Sequence, residues 1–300
     1  MKTNVRSAYR LVSDMMTENH IDAAVWNLCF IDSSGQLVVG FDQGKVSPDI
    51  AARRLRDVVP DIPLRLGACS AQRHANKQDL NRPVIGGVII RTPDVQGEGT
   101  VGIVDTLDSK LGIFTAGHVV EKVGTIVYQP RKSSQNDWEI GKATEVSNFS
   151  GNAKSDSAFV ELKNGVTATP LVIWKSGSST YTVTGKGPPK VGDMVFMQGA
   201  TSQTVERSGK ICSLNATVKF SDGGVLTEQY IANYLTKTGD SGAPVYIKKG
   251  GDNVTLIGLN VGGAKLADIT ADAPDPNTCP ANSSGEYAVI SAWENVEKLQ

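Results

Sequence analysis

Short runs of alternating apolar and polar residues make up most of the chain from residue 84 onwards, and Gly, Asp, Asn and Ser separate them. Many short strands at such spacing are typical of a β-sandwich or a β-barrel. The last run, residues 292–299, has helical spacing instead. The pattern predicts strands at residues 87–91, 100–105, 111–115, 124–129, 157–162, 193–198, 204–214, 243–248, 254–260 and 286–291. We therefore predict a mainly β fold with a C-terminal helix.

The first 80 residues mix helical and strand periods. Residues 6–19 have the spacing of an amphipathic helix, and residues 23–31 and 36–41 predict two strands joined by a turn. Ser47-Pro48-Asp49 is typical of a helix N-terminus, and residues 62–66 predict a short edge strand because Pro63 cannot donate to a neighbouring strand. Residues 1–80 are thus predicted to form a small α+β unit. The polar, unpatterned residues 70–82 predict a linker.

Composition and charge exclude several classes of protein. The 300 residues have a formal net charge of −1, so the whole chain has no attraction for nucleic acid or an anionic membrane, while a local basic patch stays open. No apolar run reaches the ~18 residues of a membrane span, and residues 1–20 lack the apolar core of a signal peptide. An intracellular protein is predicted if the chain is full length. The alternative is a signal removed before residue 1.

The four cysteines lie far apart and form no Cys-x-x-Cys pair, so the spacing predicts no zinc site. Cys29 lies in an apolar run, where a buried free thiol is the simpler interpretation. Two disulfides remain an open alternative.

The segment Gly239-Asp240-Ser241-Gly242 is the strongest candidate for chemistry. Glycine tolerates backbone angles that a Cβ forbids, so this segment can curl tightly around Ser241. The curl can direct the amides of Gly239 and Ser241 at one point, which an oxyanion hole requires. A serine hydroxyl is a poor nucleophile at neutral pH and needs a base. The chain has three histidines for that role, namely His20, His74 and His118.

A different nucleophile motif fits less well. The elbow of α/β-hydrolases has the form Gly-x-Ser-x-Gly, but the fifth residue here is Ala243. That fold also needs alternating strands and helices, and it places the histidine after the serine. No histidine follows Ser241.

Thr115-Ala116-Gly117-His118, followed much later by Gly239-Asp240-Ser241-Gly242, resembles the chymotrypsin-like serine peptidases. The Gly-Ala-Pro-Val sequence after Ser241 and the lack of cysteine around His118 are more similar to the bacterial branch, of the α-lytic protease and streptogrisin type, than to the animal digestive enzymes. The resemblance covers residues 84–300. It implies a double β-barrel peptidase domain there, a polypeptide substrate, an acyl-enzyme intermediate, and no metal or cofactor.

The resemblance also implies residue roles. His118 would be the base, Ser241 the nucleophile, and an aspartate between them in the sequence would orient the imidazole. The candidates for this acid are Asp137, Asp156, Asp193 and Asp222. Asp156 directly precedes an alternating apolar strand and is similar to the family's Asp-x-Ala pattern, so we favour it. Asp193 and Asp222 have turn residues around them. Asp240 has a structural role in the family.

Six residues are implied as contacts of the substrate: Leu235, Thr236, Thr238, Val261, Gly262 and Gly263. Residues 257–263 resemble the edge strand that pairs with an extended substrate. Many relatives have a serine in place of Val261, and its hydroxyl supports the triad aspartate. Because the pocket residues among these six carry no charge, we predict preference for an apolar or small side chain before the cleaved bond.

The N-terminal unit leaves two interpretations open, a removable pro-region or a fixed extra domain. Val84-Ile85-Gly86-Gly87 resembles the first residues of mature animal enzymes, but Pro83 makes cleavage before Val84 awkward. Two functions compete with an active endopeptidase. One is a catalytically silent scaffold on a peptidase fold, and the other is a peptidase that its N-terminal unit holds inactive.

Overall fold

The computed structural model describes residues 26–31, 36–41, 48–59, 64–68, 77–93, 98–130, 138–147, 152–202, 206–221 and 223–299. The chain divides into two compact units, residues 1–73 and 74–300. None of the described helices has the length and apolar composition of a membrane span.

In its described residues, the smaller unit contains a three-stranded sheet and one helix. Its elements are β1 (Trp26–Ile31), β2 (Leu37–Phe41), α1 (Pro48–Val58) and β3 (Leu64–Ala68). Strand β2 pairs antiparallel with β1 and parallel with β3. A parallel pair needs a crossover, which α1 provides. These elements confirm the predicted strands and the helix after Ser47, whereas the predicted helix at residues 6–19 lies outside the described residues.

The first sheet of the larger unit has seven described strands, in the order β6-β5-β9-β10-β12-β8-β7. They are β5 (Ile89–Arg91), β6 (Glu98–Thr100), β7 (Ile103–Leu107), β8 (Lys110–Thr115), β9 (Ile126–Tyr128), β10 (Glu139–Ser147) and β12 (Ser157–Leu162). A short helix, α2 (Gly117–Val120), follows β8. Strand β12 has the bounds that the apolar pattern predicts.

The second sheet has eleven strands in the part of the chain that the structure describes. Nine form the path β11-β17-β16-β15-β18-β19-β14-β13-β4, while β20 pairs with β16, and β21 pairs with β17 and β19. They are β4 (Val84–Gly86), β11 (Asn152–Ala153), β13 (Ala168–Ser176), β14 (Ser179–Lys186), β15 (Met194–Met197), β16 (Arg207–Lys219), β17 (Val225–Ala232), β18 (Pro244–Gly250), β19 (Asn253–Ala264), β20 (Ile269–Ala271) and β21 (Tyr287–Ala292).

The two sheets curl into a double β-barrel, which confirms the predicted fold class. Their apolar faces share a core, in which Phe114 of the first sheet contacts Phe159 at a ring-centroid distance of 5.0 Å and Trp293 at 5.2 Å. Trp293 opens the C-terminal helix α3 (Trp293–Val296), so this helix closes the core. The helix is shorter than the predicted residues 292–299, and turns follow it.

The end of the predicted linker is part of the larger unit. From Lys77 onwards the segment packs against the buried side chain of Gln129, which donates to the Asp79 carbonyl at 2.8 Å and accepts from the Asn81 amide at 3.0 Å. The polar composition suggested a linker, but a buried amide side chain can satisfy a polar backbone as well as water does. The linker prediction is therefore wrong from Lys77 onwards.

A disulfide joins Cys212 of β16 to Cys279, 67 residues later. Such bonds persist in oxidising compartments. The side chain predicted to be a buried thiol, that of Cys29, lies outside the described side chains.

Candidate active site

The His118 and Asp156 side chains meet because β8 and β12 are neighbours. Thr115 at the end of β8 pairs with Ala158 at the start of β12. His118 follows β8 and Asp156 precedes β12, so both lie at the same end of the sheet. Gly117 permits this approach, since a Cβ at that position would lie 2.8 Å from Oδ1 of Asp156.

The Asp156 carboxylate holds His118 at two atoms. Its Oδ1 accepts from the His118 amide at 2.8 Å, and its Oδ2 contacts Nδ1 of the imidazole. Asp156 is 1% exposed, while the imidazole is about one-third exposed. A carboxylate at Nδ1 favours the tautomer in which Nε2 accepts protons, and it stabilises the imidazolium. The Asp156 amide donates to Oγ of Ser291 at 3.1 Å, which fixes the aspartate from β21.

The turn that contains Ser241 lies against the segment before His118. Gly239 and Gly242 have φ of 89° and 85°, a region that favours glycine. A Cβ on Gly242 would lie 2.8 Å from the amide nitrogen of Ala116. Thr100 of β6 fastens the turn, because its amide donates to the Ser241 carbonyl and its hydroxyl donates to the Gly239 carbonyl, both at 2.8 Å.

Two amides in this turn remain available to a ligand. The amide of Asp240 donates to the Lys237 carbonyl, and that of Gly242 donates to the Asn260 carbonyl. By contrast, the amides of Gly239 and Ser241 have no acceptor in the part of the chain that the structure describes. Two unused N–H groups, one on each side of Asp240, can bind an anion that develops near Ser241.

The carboxylate of Asp240 is buried and fully hydrogen-bonded. Its Oδ1 accepts from the amide and hydroxyl of Thr201 and from the amide of Ser202, at 2.8 to 3.1 Å. Its Oδ2 accepts from the Ser202 hydroxyl at 2.6 Å and the Lys237 amide at 3.1 Å. These contacts anchor the residue next to Ser241 to the loop after β15.

Asn260 of β19 connects the turn to the rest of the second sheet. Its side-chain nitrogen donates to the Asp240 carbonyl at 3.2 Å and to Oγ1 of Thr236 at 2.9 Å. Its Oδ1 accepts from the hydroxyl of Tyr234. Burial raises the pKa of Tyr234 well above its usual value, with a smaller contribution from Asp240, so the phenol stays a donor.

An open cavity of about 620 Å³ adjoins Ser241. It is lined by Thr236, Lys237, Thr238, Ser241, Gly262, Gly263 and Glu286. Four of the six predicted substrate contacts thus face it, whereas half-buried Leu235 does not line it and Val261 is 5% exposed in the apolar core. The sequence did not indicate Glu286 as a lining residue. Its carboxylate lies close to Gly263, since a Cβ added to Gly263 would be 3.2 Å from Oε2 of Glu286.

The substrate-pairing edge predicted at residues 257–263 needs a correction. Leu259 of β19 pairs with Pro244 of β18 on one side and with Ser291 of β21 on the other. Residues up to Leu259 therefore cannot form an edge. The described pairing of Gly262 and Gly263 is with β21 alone, so the edge is shorter and lies beside the cavity.

Of the other candidate bases and acids, the structure describes only Asp193. Asp193 accepts from the Lys190 amide at 2.8 Å in a turn, as its sequence context predicts. His20, His74, Asp137 and Asp222 lie outside the described residues.

Comparison with known proteins gives consistent results. The family model described as Trypsin matches residues 81–274. Streptogrisin-D of Streptomyces griseus is 31% identical over 151 residues, which cover 50% of this chain and 34% of that protein. Serine protease 2 of Streptomyces fradiae is 29% identical over 151 residues, which cover 50% of this chain and 78% of that protein. The chain thus spans about a third of the length of Streptogrisin-D.

The crystal structure of Thermobifida fusca Protease A has the same fold. It matches with a TM-score of 0.52 and 24% identity, over 72% of this chain and 94% of that chain. The match of the Trypsin family extends over most of the larger unit and includes both His118 and Ser241. The chain therefore belongs to the trypsin family of serine endopeptidases, and it is similar to the bacterial members of that family.

Proposed function

We propose that the chain cleaves polypeptides through an acyl-enzyme on Ser241, with His118 as base and then acid and Asp156 as the orienting carboxylate. The observation that carries this proposal is the buried Asp156 carboxylate on Nδ1 of His118, at the end of the sheet where the Ser241 turn packs. The unused amides of Gly239 and Ser241 support the proposal as an oxyanion site.

The reaction has two halves. Oγ of Ser241 attacks the scissile carbonyl carbon while its proton passes to Nε2 of His118, and the amides of Gly239 and Ser241 bind the oxyanion. The imidazolium then gives this proton to the leaving nitrogen, the C–N bond breaks, and the acyl-enzyme remains. Water attacks the ester next, with His118 again as base, which releases the acid product and restores Ser241.

The charge of Glu286 bears on which substrate side chain the cavity accepts before the cleaved bond. Its half-buried carboxylate borders the cavity, and the described ion pairs do not include it. Lys237, on the same cavity, is exposed, so water screens its charge more strongly. We propose that the cavity prefers a Lys or Arg side chain before the cleaved bond, instead of the apolar or small one that the sequence indicated.

A fluorophosphonate probe on the full chain tests the nucleophile. We expect the wild type to be labelled, the Ser241→Ala variant to remain unlabelled, and the exposed control Ser179→Ala to behave as the wild type. Residual catalysis by Ser241→Ala should be only ~10³–10⁴-fold above water. An unlabelled wild type would favour the silent scaffold or the peptidase that its N-terminal unit holds inactive. A labelled Ser241→Ala would refute the assignment of Ser241.

A peptide library tests the pocket. The wild type should prefer Lys or Arg, and Glu286→Gln should lose about fivefold of that preference, because a partly exposed ion pair contributes about 1 kcal/mol. A wild type that prefers apolar residues would contradict the role of Glu286 and leave the nucleophile assignment intact.

A further inference from the structure

The side chain of Lys77 is charged and yet buried in the larger unit. The residue is 0% exposed, and its ammonium has no hydrogen-bond partner in the described part of the chain. Its Nζ lies 5.3 Å from the ring centroid of Trp174, a distance at which a cation interacts with the aromatic face. Burying an ammonium without hydrogen bonds is costly, so a fold that retains one has a compensating interaction or a function for it.

Two charged groups act on this ammonium, Asp240 and Arg207. Burial lowers the pKa of Lys77 to about 8, Asp240 opposes this change, and Arg207 adds to it. Lys77 is therefore mostly protonated at neutral pH, and Asp240 is the carboxylate that favours its charge.

The segment of Lys77 is fastened to the structure that holds Asp240. The Lys77 carbonyl accepts from the Ile89 amide at 2.9 Å, and Gln78 donates to the Ala200 carbonyl at 3.3 Å. Ala200 directly precedes Thr201, which donates twice to the Asp240 carboxylate. The Lys77 segment and the Ser241 turn are thus linked through the Gln78 side chain and residues 200–201.

We infer that Lys77 is a positioning residue for the proposed reaction: its buried ammonium is the internal counter-charge of Asp240 and holds the Gly239–Ser241 turn in the conformation that binds an oxyanion. This inference rests on the proposed function. Lys77 does not touch the substrate. It acts through Asp240, the residue between the two amides of the oxyanion site.

The pH dependence separates this role from a purely structural one. Between pH 8 and 10.5 the unfolded chain keeps the lysine proton while the folded chain releases it. The unfolded state then binds more protons, so this group makes the free energy of unfolding rise with pH. Activity that needs the charged ammonium falls over the same range. A lysine that served only the fold would give the rise in stability without the fall in activity.

The test measures labelling by the fluorophosphonate and the free energy of unfolding in urea, from about pH 6 to 10. Lys77→Met is the main variant, because methionine fills a similar volume without the charge. Lys77→Arg keeps a charge that does not titrate in this range. Lys186→Met is the matched control, since Lys186 also lies over a tryptophan, 4.9 Å from the Trp293 ring centroid.

We expect Lys77→Met to be labelled about tenfold more slowly at neutral pH, less than the ~10²–10³-fold that loss of an oxyanion donor costs. The variant should lose the alkaline decline of the wild type. It should also be at least as stable, because the lowered pKa of Lys77 means that the folded state disfavours its charge, and methionine carries none. Lys77→Arg should restore labelling without the decline, and Lys186→Met should match the wild type.

Several results would overturn the inference. Lys77→Met with wild-type rate and pH profile would show that the ammonium does not act on the turn. Lys77→Met that unfolds more easily than the wild type would assign the lysine to the fold. Neither result affects the assignment of Ser241, which fails only if the wild type is unlabelled or Ser241→Ala is labelled.

Discussion

The two buried aspartates near Ser241, Asp156 and Asp240, differ in the number and kind of their hydrogen-bond partners. Asp156 is 1% exposed, and its carboxylate has two described contacts, both with His118. Asp240 is 0% exposed, and its carboxylate accepts five hydrogen bonds, which come from Thr201, Ser202 and Lys237. An ionised carboxylate has about four lone-pair sites, so Asp240 is saturated while Asp156 is not.

This difference indicates what each carboxylate does. The partners of Asp240 are fixed backbone and hydroxyl donors, which stabilise one conformation of the Ser241 turn. The partner of Asp156 is a ring that can gain and lose a proton, so the energy of this contact changes during the proposed reaction. Removing the charge should therefore affect catalysis at Asp156 and folding at Asp240.

The largest effect is expected for Asp156→Asn. The amide keeps the size of the side chain but favours the wrong imidazole tautomer, and kcat should fall by ~10⁴ with little change in the free energy of unfolding. Peptide hydrolysis and urea unfolding measure the two quantities. Asp193→Asn is the control, since that turn aspartate should keep kcat near the wild-type value. A kcat for Asp156→Asn within tenfold of the wild type would remove the distinction between the two aspartates.

Asp240→Asn should lower the free energy of unfolding more than it lowers catalysis. An amide nitrogen cannot accept from the Ser202 hydroxyl and the Lys237 amide, so buried donors lose their partner. Breaking a buried charged network typically costs ~3–5 kcal/mol of stability. Thermal and urea unfolding measure the loss. The control is Asp252→Asn, because the ion pair of Asp252 with Lys175 is exposed and should contribute little to stability.

A stable Asp240→Asn protein would mean that the five hydrogen bonds are not what holds the turn. Lys77 would then be uncoupled from Ser241 as well, and its variants should have no effect on labelling. The two experiments therefore check each other.

Ser241 and His118 could be proposed as site residues from the sequence because their neighbours carry the necessary backbone information. Gly239 and Gly242 have the positive φ that the turn needs, and Gly117 permits the approach to Asp156. Strand β12 could also be predicted, since its consecutive residues Ala158, Phe159 and Val160 are apolar and buried. In each case the determining residues lie within a few positions of one another.

Other parts of the molecule depend on distant partners. The predicted strands do not include β10, β13, β14 or β17, which contain several polar residues and are completed by pairing with other strands. Thr100 acts on Gly239, 139 residues away, and nothing in its own neighbourhood indicates that contact. Lys77 lies in a segment whose composition resembles a linker. For such residues only the fold reveals the role.

The smallest effect is expected for Thr100→Val. This variant tests the contact between the first sheet and the Ser241 turn. Valine has the same shape but loses the bond to the Gly239 carbonyl and leaves the Ala200 amide, 3.0 Å from the hydroxyl, without its acceptor. Stability should fall by ~1–3 kcal/mol, and labelling of Ser241 should slow by up to about tenfold.

The control for this variant is another buried threonine of the larger unit. The Thr125 hydroxyl has no hydrogen-bond partner in the described part of the chain, so Thr125→Val should be neutral or stabilising. If both variants lose equal stability, threonine burial and not the bond to Gly239 explains the effect. If Thr100→Val loses stability but labels at the wild-type rate, the turn keeps its shape without Thr100. The Asp240 contacts alone would then position Ser241, and the contrast between the two aspartates would become sharper.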